Sequence, residues 1–185
     1  NTVIEADALT IKLGAREADC FVEPAGMIER MNRAGIATLV MPVCDLDPSD
    51  PLHEYTHYAA RFEEIRRLSA DHPGRFVGLF SVNPEDPSDP AAADEALGSD
   101  WCVGMHNHTH SWDHTFDEPV FEPYYELAAK HGVPFVMQAG RSGGHRVHEL
   151  GHPRAIDAPA RQFPTVDFVL SHLGIPWQTE TLAAA

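Results

Sequence analysis

Short apolar segments recur about every thirty residues along this chain, which is the length of one strand–helix unit. These segments cover residues 36–43, 75–82, 101–106, 134–138 and 166–171. Stretches with apolar residues at helical spacing surround them, at residues 24–34, 53–70, 91–97, 119–131, 153–162 and 176–185. Strands that alternate with helices in this way predict an α/β fold with a parallel sheet and right-handed crossovers.

Two architectures are compatible with five such units: an open, doubly wound sheet and part of a (β/α)₈ TIM barrel. Residues 43–48 read VCDLDP, so no glycine-rich dinucleotide fingerprint follows the first strand. A complete barrel typically needs about 250 residues, whereas the chain has 185. The barrel interpretation therefore makes residues 1–185 a single, incomplete barrel domain. The start at Asn1 without a methionine and the stop at Ala185 inside a predicted helix fit that interpretation.

Charge and composition restrict the class of function. The chain has 13 Lys and Arg against 28 Asp and Glu, a net charge of −15. Binding to nucleic acids or to anionic membranes needs clustered basic residues, so we expect neither partner. The longest apolar run, near 36–43, is far short of the roughly 20 residues of a membrane span. Three widely spaced cysteines without a CxxC motif are typical of reduced thiols, so we expect a cytoplasmic protein.

Ligands of parallel α/β folds bind at the carboxyl ends of the strands, and polar residues collect at these positions. The residues of interest there are Asp45 and Asp47 after the first strand, His106, His108 and His110 after the third, Gln138, Arg141 and His145 after the fourth, and His172 and Trp177 after the fifth. We interpret Asp45 and Asp47 as helix-capping or loop carboxylates. The other residues define a candidate site on one rim of the sheet.

The sequence HNHTH at residues 106–110 is the sharpest local signal. In an extended chain, residues 106, 108 and 110 point to one face, because the side-chain period of a strand is two. Neutral imidazole is the commonest metal ligand, so the triplet could bind an ion such as Zn²⁺. The alternative is a loop that contacts substrate without an ion.

The remaining candidates end the last two strands. His172 can serve there as an acid–base group or as a metal ligand, although a histidine at a strand end can also be a core residue. Gln138 can orient a water molecule or a substrate oxygen but cannot act as a base. Arg141 could hold a carboxylate through two hydrogen bonds, or it could be a surface arginine. Trp177 is expected to line one side of the site.

Five segments together resemble the amidohydrolase-related family, in the branch that includes aminocarboxymuconate-semialdehyde decarboxylase and resorcylate-type decarboxylases. They read MIERMNRAGIATLVMPV (27–43), HPGRFVGLFSVNPED (72–86), CVGMHNH (102–108), EPVFEPYYELAAKHGVPFVMQAG (118–140) and FPTVDFVLSHLGIPW (163–177). The similarity runs from about residue 24 to residue 182, in order and at consistent spacing.

The resemblance implies a (β/α)₈ barrel with a divalent metal, Zn²⁺ or Mn²⁺, of which this chain spans strands two to six. Family members usually carry an HxH pair on the first strand, histidines at the ends of the fifth and sixth strands, and an aspartate on the eighth. His172 then matches the sixth-strand histidine, as a catalytic group or a metal ligand, with the other ligands outside this chain. Gln138 stands where the fifth-strand histidine is typical. On this map the residues that line the substrate pocket are His106, His108, Gln138, Arg141 and Trp177.

The resemblance leaves three functions open. The first is metal-dependent hydrolysis of a small organic acid or cyclic compound, with His172 moving a proton. The second is non-oxidative decarboxylation, which is typical of this branch. The third is a metal-free barrel that binds a ligand without catalysis. Gln138, in the position of a typical metal-binding histidine, favours this alternative. Barrels of this type often pair, so we also consider a homodimer, and we expect His172 to be partly buried, which favours neutral imidazole.

Overall fold

The computed structural model describes residues 4–5, 21–42, 62–142 and 147–184. Its main body is a five-stranded parallel sheet, formed by β1 (Leu39–Pro42), β2 (Phe76–Ser81), β3 (Cys102–Asn107), β4 (Phe135–Gln138) and β5 (Phe168–Ser171). The strands lie side by side in chain order, without the reversal that a doubly wound sheet requires. The predicted half-barrel is therefore confirmed, and the doubly wound alternative is wrong.

Helices precede, separate and follow the strands along the chain. They are α1 (Pro24–Ala34), α2 (Phe62–Asp71), α3 (Asp89–Leu97), α4 (Thr109–Trp112), α5 (Glu122–His131), α6 (Asp157–Gln162) and α7 (Gln178–Ala184). Single turns of 3₁₀ helix lie at Pro119–Phe121, His148–Gly151 and Pro153–Ile156. Residues 53–61 of the predicted second helix lie outside the described residues, and α4 was not predicted. No helix in the described ranges is both long and apolar enough to cross a membrane.

Helix α1 shows how local sequence sets these boundaries. Pro24 occupies the first turn, where its missing N–H leaves no hydrogen bond unmade. Gly35 ends the helix with φ of 70° and donates its N–H to the carbonyls of Asn32 and Met31. Met31 is buried and joins Leu68 and Phe76 in a small apolar cluster. The predicted range, 24–34, agrees with the structure at both ends.

The two faces of the sheet differ in what covers them. A Cβ atom added at Gly78 would lie 2.9 Å from Ile65 of α2, so Gly78 faces the helices. Because side chains alternate along a strand, Phe80 also faces the helices and Ser81 faces the opposite, concave side. The core between sheet and helices includes Phe80, Met105, Phe116, Phe121, Tyr124, Tyr125, Phe135 and Met137.

The concave side of the arc carries an apolar row that is open to solvent. Val40 of β1 pairs with Val77, and Val136 of β4 pairs with Val169 of β5. Val40 and Val169 are 47% and 45% exposed. The strand ends that carry the polar candidates therefore stand above an apolar floor.

Candidate active site

Four polar residues stand at the carboxyl ends of neighbouring strands on the concave side of the sheet. Ser81 of β2 pairs with His106 of β3, and Gln138 of β4 pairs with Ser171 of β5. His172 follows Ser171 directly. Adjacent parallel strands lie about 4.8 Å apart, so these positions share one rim.

A β-bulge in β3 turns His106 towards this rim. Gly78 pairs with Cys102 and Phe80 pairs with Met105, so two steps along β2 correspond to three along β3. The extra residue reverses the alternation, as bulges next to active sites commonly do. Met105 consequently faces the helices, and His106 faces the concave side. Without the bulge, His106 would point into the helical core.

The ring of His106 is buried and neutral. The residue is 9% exposed, and its Nδ1 has no hydrogen-bond partner among the described residues. Burial lowers the pKa of His106 to about 4, with a further contribution from repulsion by His172. A buried nitrogen without a partner on the concave side is available to a ligand.

His108 is held by two serine hydroxyls. Its Nδ1 lies 2.6 Å from Oγ of Ser111, and its Nε2 lies 3.2 Å from Oγ of Ser142. Burial lowers the pKa of His108 to about 3, and repulsion from His110, His106 and His172 adds to the effect. A neutral ring can donate to one hydroxyl and accept from the other. Both nitrogens of His108 are thus engaged, and its predicted role in binding substrate remains a prediction.

His110 does not share a face with His106, so this part of the sequence prediction is wrong. The strand ends at Asn107, and the chain turns into α4 at Thr109. His110 is 2% exposed, and a Cβ atom at Gly151 would lie 2.6 Å from its ring. Burial lowers the pKa of His110. The period-two argument failed because the chain stops being extended halfway through the HNHTH segment.

His172 stands on a left-handed turn. His172, Leu173 and Gly174 have φ values of 59°, 52° and 59°. Two adjacent non-glycine residues in this region cost about 1–3 kcal/mol each and persist only where surrounding contacts hold them. Such strain is common at functional sites. The turn carries His172 away from the line of the strand, so the ring is exposed, and the prediction that it is partly buried is wrong.

The turn is tied to the loop that follows β4. Ile175 donates its N–H to the carbonyl of His172 at 3.3 Å, and its own carbonyl accepts from the N–H of Arg141 at 2.6 Å. Trp177 donates its N–H to Gly174 at 2.6 Å, and its indole lies 4.6 Å from the ring of His152. The backbones of Arg141 and Trp177 therefore lie beside the turn that carries His172, and their roles at the substrate pocket remain predictions.

Several contributors to the rim carry little sequence signal. Ser142 contacts His108 from a distant loop, and Thr109 points its hydroxyl at the carbonyl of Gln138, 3.5 Å away. Only Ser111, three residues after His108, has a spacing that a local pattern could reveal. The predicted candidates Asp45, Asp47 and His145 lie outside the described residues.

The described residues do not form a metal site on their own. Within residues 4–5, 21–42, 62–142 and 147–184, no three His, Cys, Asp or Glu side chains converge as a ligand set. His106 and His172 have rings free to bind an ion, whereas both nitrogens of His108 are engaged. A metal at this rim would need ligands from other residues.

Solved structures similar to this chain are barrels. An uncharacterized TIM-barrel protein from Bordetella bronchiseptica is 20% identical with a TM-score of 0.69, over 86% of this chain and 54% of that one. A 2,6-dihydroxybenzoate decarboxylase from Rhizobium is 17% identical with a TM-score of 0.56, over 80% and 55%. A 5-carboxyvanillate decarboxylase from Novosphingobium aromaticivorans, complexed with manganese and 4-hydroxy-3-methoxy-5-nitrobenzoic acid, is 16% identical with a TM-score of 0.63, over 85% and 51%.

These likenesses establish the fold, and the chain spans about half the length of the structures it matches. No curated protein matches the sequence at a significant level. The family model described as amidohydrolase matches residues 30–185, which is most of the chain. The match includes all five strands and every residue of the rim described above. The chain therefore belongs to the amidohydrolase family.

Proposed function

We propose that this chain forms one side of the active site of a metal-dependent hydrolase that acts on a small organic molecule. The observation that carries the proposal is the rim itself: His106, Gln138 and His172 stand at the ends of three consecutive strands above an apolar floor. The apolar floor can contact the apolar part of a substrate, while the polar side chains at the strand ends contact its reacting group.

Hydrolysis needs a base, and the rim is rich in proton acceptors. His106 and His108 have pKa values of about 4 and 3, because burial disfavours their charged forms. Both rings are therefore neutral at pH 7. We assign the proton transfer to His172, because its ring is exposed at the rim and is not enclosed by the core. An imidazole there can accept a proton from an attacking water molecule and return it to the leaving group.

A divalent metal, zinc or manganese, is part of the proposal. His172 is the candidate ligand for it in this chain as an alternative to proton transfer, because a metal-bound neutral imidazole has no nitrogen left to accept a proton. The manganese-bound 5-carboxyvanillate decarboxylase supports it at the level of the fold. No step above depends on the ion, since the described residues do not complete a ligand set. Elemental analysis of the full-length protein should find about one equivalent of metal, which chelation would remove together with activity.

Non-oxidative decarboxylation is the second candidate, favoured by the two structural neighbours that are decarboxylases. In that reaction a protonated group must deliver a proton to carbon as CO₂ leaves. The neutral rings of His106 and His108 are poor acids at pH 7, which is why hydrolysis ranks first.

Product analysis separates the candidates. We would incubate the full-length protein with small carboxylic acids and their esters and amides in ¹⁸O-labelled water. Hydrolysis places ¹⁸O in the carboxylic acid product, whereas decarboxylation releases CO₂ and leaves an organic product that has lost its carboxyl group. A protein that contains no metal and turns over none of these compounds would instead be the binding barrel.

The cellular location, the partner and the oligomeric state are part of the same proposal. The net charge of −15 and the widely spaced cysteines favour a cytoplasmic protein with a small-molecule partner. Cys102 is buried and unpaired, and burial raises its pKa, which fits a reduced and inert thiol. A homodimer is also proposed, and sedimentation of the full-length protein would test it.

A further inference from the structure

Three consecutive residues after β4 are each fixed by a different part of the chain. Gly140 donates its N–H to the carbonyl of Gly151 at 2.7 Å, and Arg141 donates its N–H to the carbonyl of Ile175 at 2.6 Å. Ser142 is 4% exposed, and its hydroxyl lies 3.2 Å from Nε2 of His108. The backbone of Arg141 is therefore held on both sides and at its own N–H.

The guanidinium of Arg141 differs from those of three other described arginines. Arg66 is paired with Glu63, Arg75 bonds Asn32, and Arg161 lies near Asp157. Arg141 is exposed, and no described residue bonds or pairs with its guanidinium. A rigid backbone thus presents a free cation with five N–H donors at the rim.

The backbone of Arg141 lies beside apolar surface. Ile175, whose carbonyl holds Arg141, is 51% exposed, and Leu173 on the same turn is 68% exposed. The apolar floor of the barrel, with Val136 and Val169, lies on the concave side of the same strands. A planar guanidinium next to apolar surface suits a carboxylate attached to an apolar body.

We propose that Arg141 binds the carboxylate of an apolar organic acid, and that His108 is a positioning residue that acts through it. His108 bridges Ser111 of α4 and Ser142 of the loop, so it fixes the segment that presents Arg141. This inference rests on the proposed function in treating the same rim as the substrate site. It changes the role of His108 from contacting substrate to holding the residue that does so.

Binding of benzoate and of its neutral analogue benzamide tests the proposal, by calorimetry on the full-length protein. Wild type should prefer benzoate. Arg141→Gln should weaken benzoate binding by about tenfold or more, as expected for a lost hydrogen-bonded ion pair, and should leave benzamide unchanged. Arg154→Gln, at an exposed arginine of the adjacent Pro153–Ile156 turn, is the matched control and should change neither.

The positioning role of His108 predicts a separate set of binding results. His108→Ala should weaken benzoate but not benzamide, and the double variant with Arg141→Gln should lose no more than Arg141→Gln alone. His108→Gln, which can still donate and accept, should restore part of the loss. Ser142→Ala removes the hydroxyl that contacts His108 by deleting a single oxygen atom. It replaces His108→Ala in this test if that variant does not fold.

Four outcomes would overturn the inference: no preference of wild type for benzoate, an unchanged Arg141→Gln variant, equal losses for both probes, or additive losses in the double variant. Since the readout is binding, it is independent of turnover. A protein that binds benzoate through Arg141 but hydrolyses and decarboxylates nothing would keep this inference and reject the proposed function.

Discussion

The loops at the two ends of the half-barrel differ in how closely they are packed. At the amino ends of the strands, the glycines that end α1 and α5, Gly35 and Gly132, have φ values of 70° and 65° and no neighbour within 4 Å of an added Cβ. At the carboxyl ends, Gly140 has φ of 81°, and an added Cβ would lie 2.6 Å from the nitrogen of Ile175. One end makes simple helix-to-strand turns, whereas the other packs loop backbones against each other.

Buried polar rings sharpen this contrast. His106, His108 and His110 collect at the carboxyl ends, and burial lowers the pKa of each. At the amino end, His131 instead lies near the surface and contacts Asp94 at 2.6 Å. Rigid loops and desolvated imidazoles at one end of a sheet are the expected marks of a preorganised site. The difference between the ends can therefore be tested by matched substitutions.

The largest expected effect is on stability at the crowded end. Gly140→Ala should lower the free energy of unfolding by about 3–5 kcal/mol, because it adds a backbone clash to an unfavourable φ. Gly132→Ala has the same kind of φ but open space, so it should lose only about 1 kcal/mol. Urea denaturation of both variants measures the difference. Equal losses would mean that the crowding around Gly140 relaxes freely and does not stiffen the rim.

The next effect is on turnover. His172→Asn should lower kcat by at least about 100-fold, because it removes the proton acceptor. Asparagine tolerates positive φ better than most residues, so the free energy of unfolding should change by less than about 1.5 kcal/mol. The control is His131→Asn at the amino end, which should leave kcat unchanged. Retained turnover in the His172 variant would remove this residue from the mechanism.

These comparisons show what sequence could and could not predict. The strand order and the rim followed from apolar segments about thirty residues apart, because parallel strands with helical crossovers bring their carboxyl ends together. The bulge that turns His106 inward is a matter of pairing between strands, which no local pattern reveals. The hydroxyl of Ser142 on His108 is a contact across 34 positions. The left-handed turn at His172 depends on the neighbouring loop, so its exposure could not be foreseen.

Acid should destabilise the protein through the buried histidines of the rim. His106 and His108 have folded pKa values of about 4 and 3, below the ordinary value near 6.5 in an unfolded chain. Between these values the unfolded chain binds more protons, so stability falls as pH falls from about 6.5 towards 4 for His106 and towards 3 for His108. We expect a loss of about 1–2 kcal/mol per ring by pH 5.

Urea midpoints at pH 7 and pH 5 measure this loss. His106→Asn and His108→Asn should each remove part of the pH dependence, since neither side chain titrates. The substitution His131→Asn serves again as the amino-end control. If all three variants lose the same stability as wild type on acidification, the buried rings do not account for it.

The smallest expected effect is on stability at the His114 cluster, where the contribution to stability decreases as pH rises. His114 lies between Glu118 at 2.7 Å and Glu85 at 3.1 Å, in loops that follow β2 and β3. Partial burial opposes its charge, but the hydrogen bonds and charges of Glu118 and Glu85 together raise its pKa. A raised folded pKa gives stability that is present below the unfolded value and is lost as pH rises through the folded one. Glu118→Gln should therefore cost about 0.5 kcal/mol at pH 5.5, less at pH 8 and less in high salt, as for other solvent-exposed pairs.

The exposed pair of Lys130 and Asp94 lies on α5 and α3, away from the rim loops, with an N–O distance of 2.7 Å. Lys130→Gln should respond to salt in the same way as Glu118→Gln. Lysine keeps its charge across this range, although His131 also contacts Asp94, so the effect of Lys130→Gln should change less between pH 5.5 and pH 8 than that of Glu118→Gln. Exposed ion pairs would then contribute little wherever they lie, and the special character of the rim would come from its packed loops and buried rings. A loss above about 1.5 kcal/mol for Glu118→Gln, or one that does not depend on pH, would show instead that charge at the loop surface helps to hold the rim together.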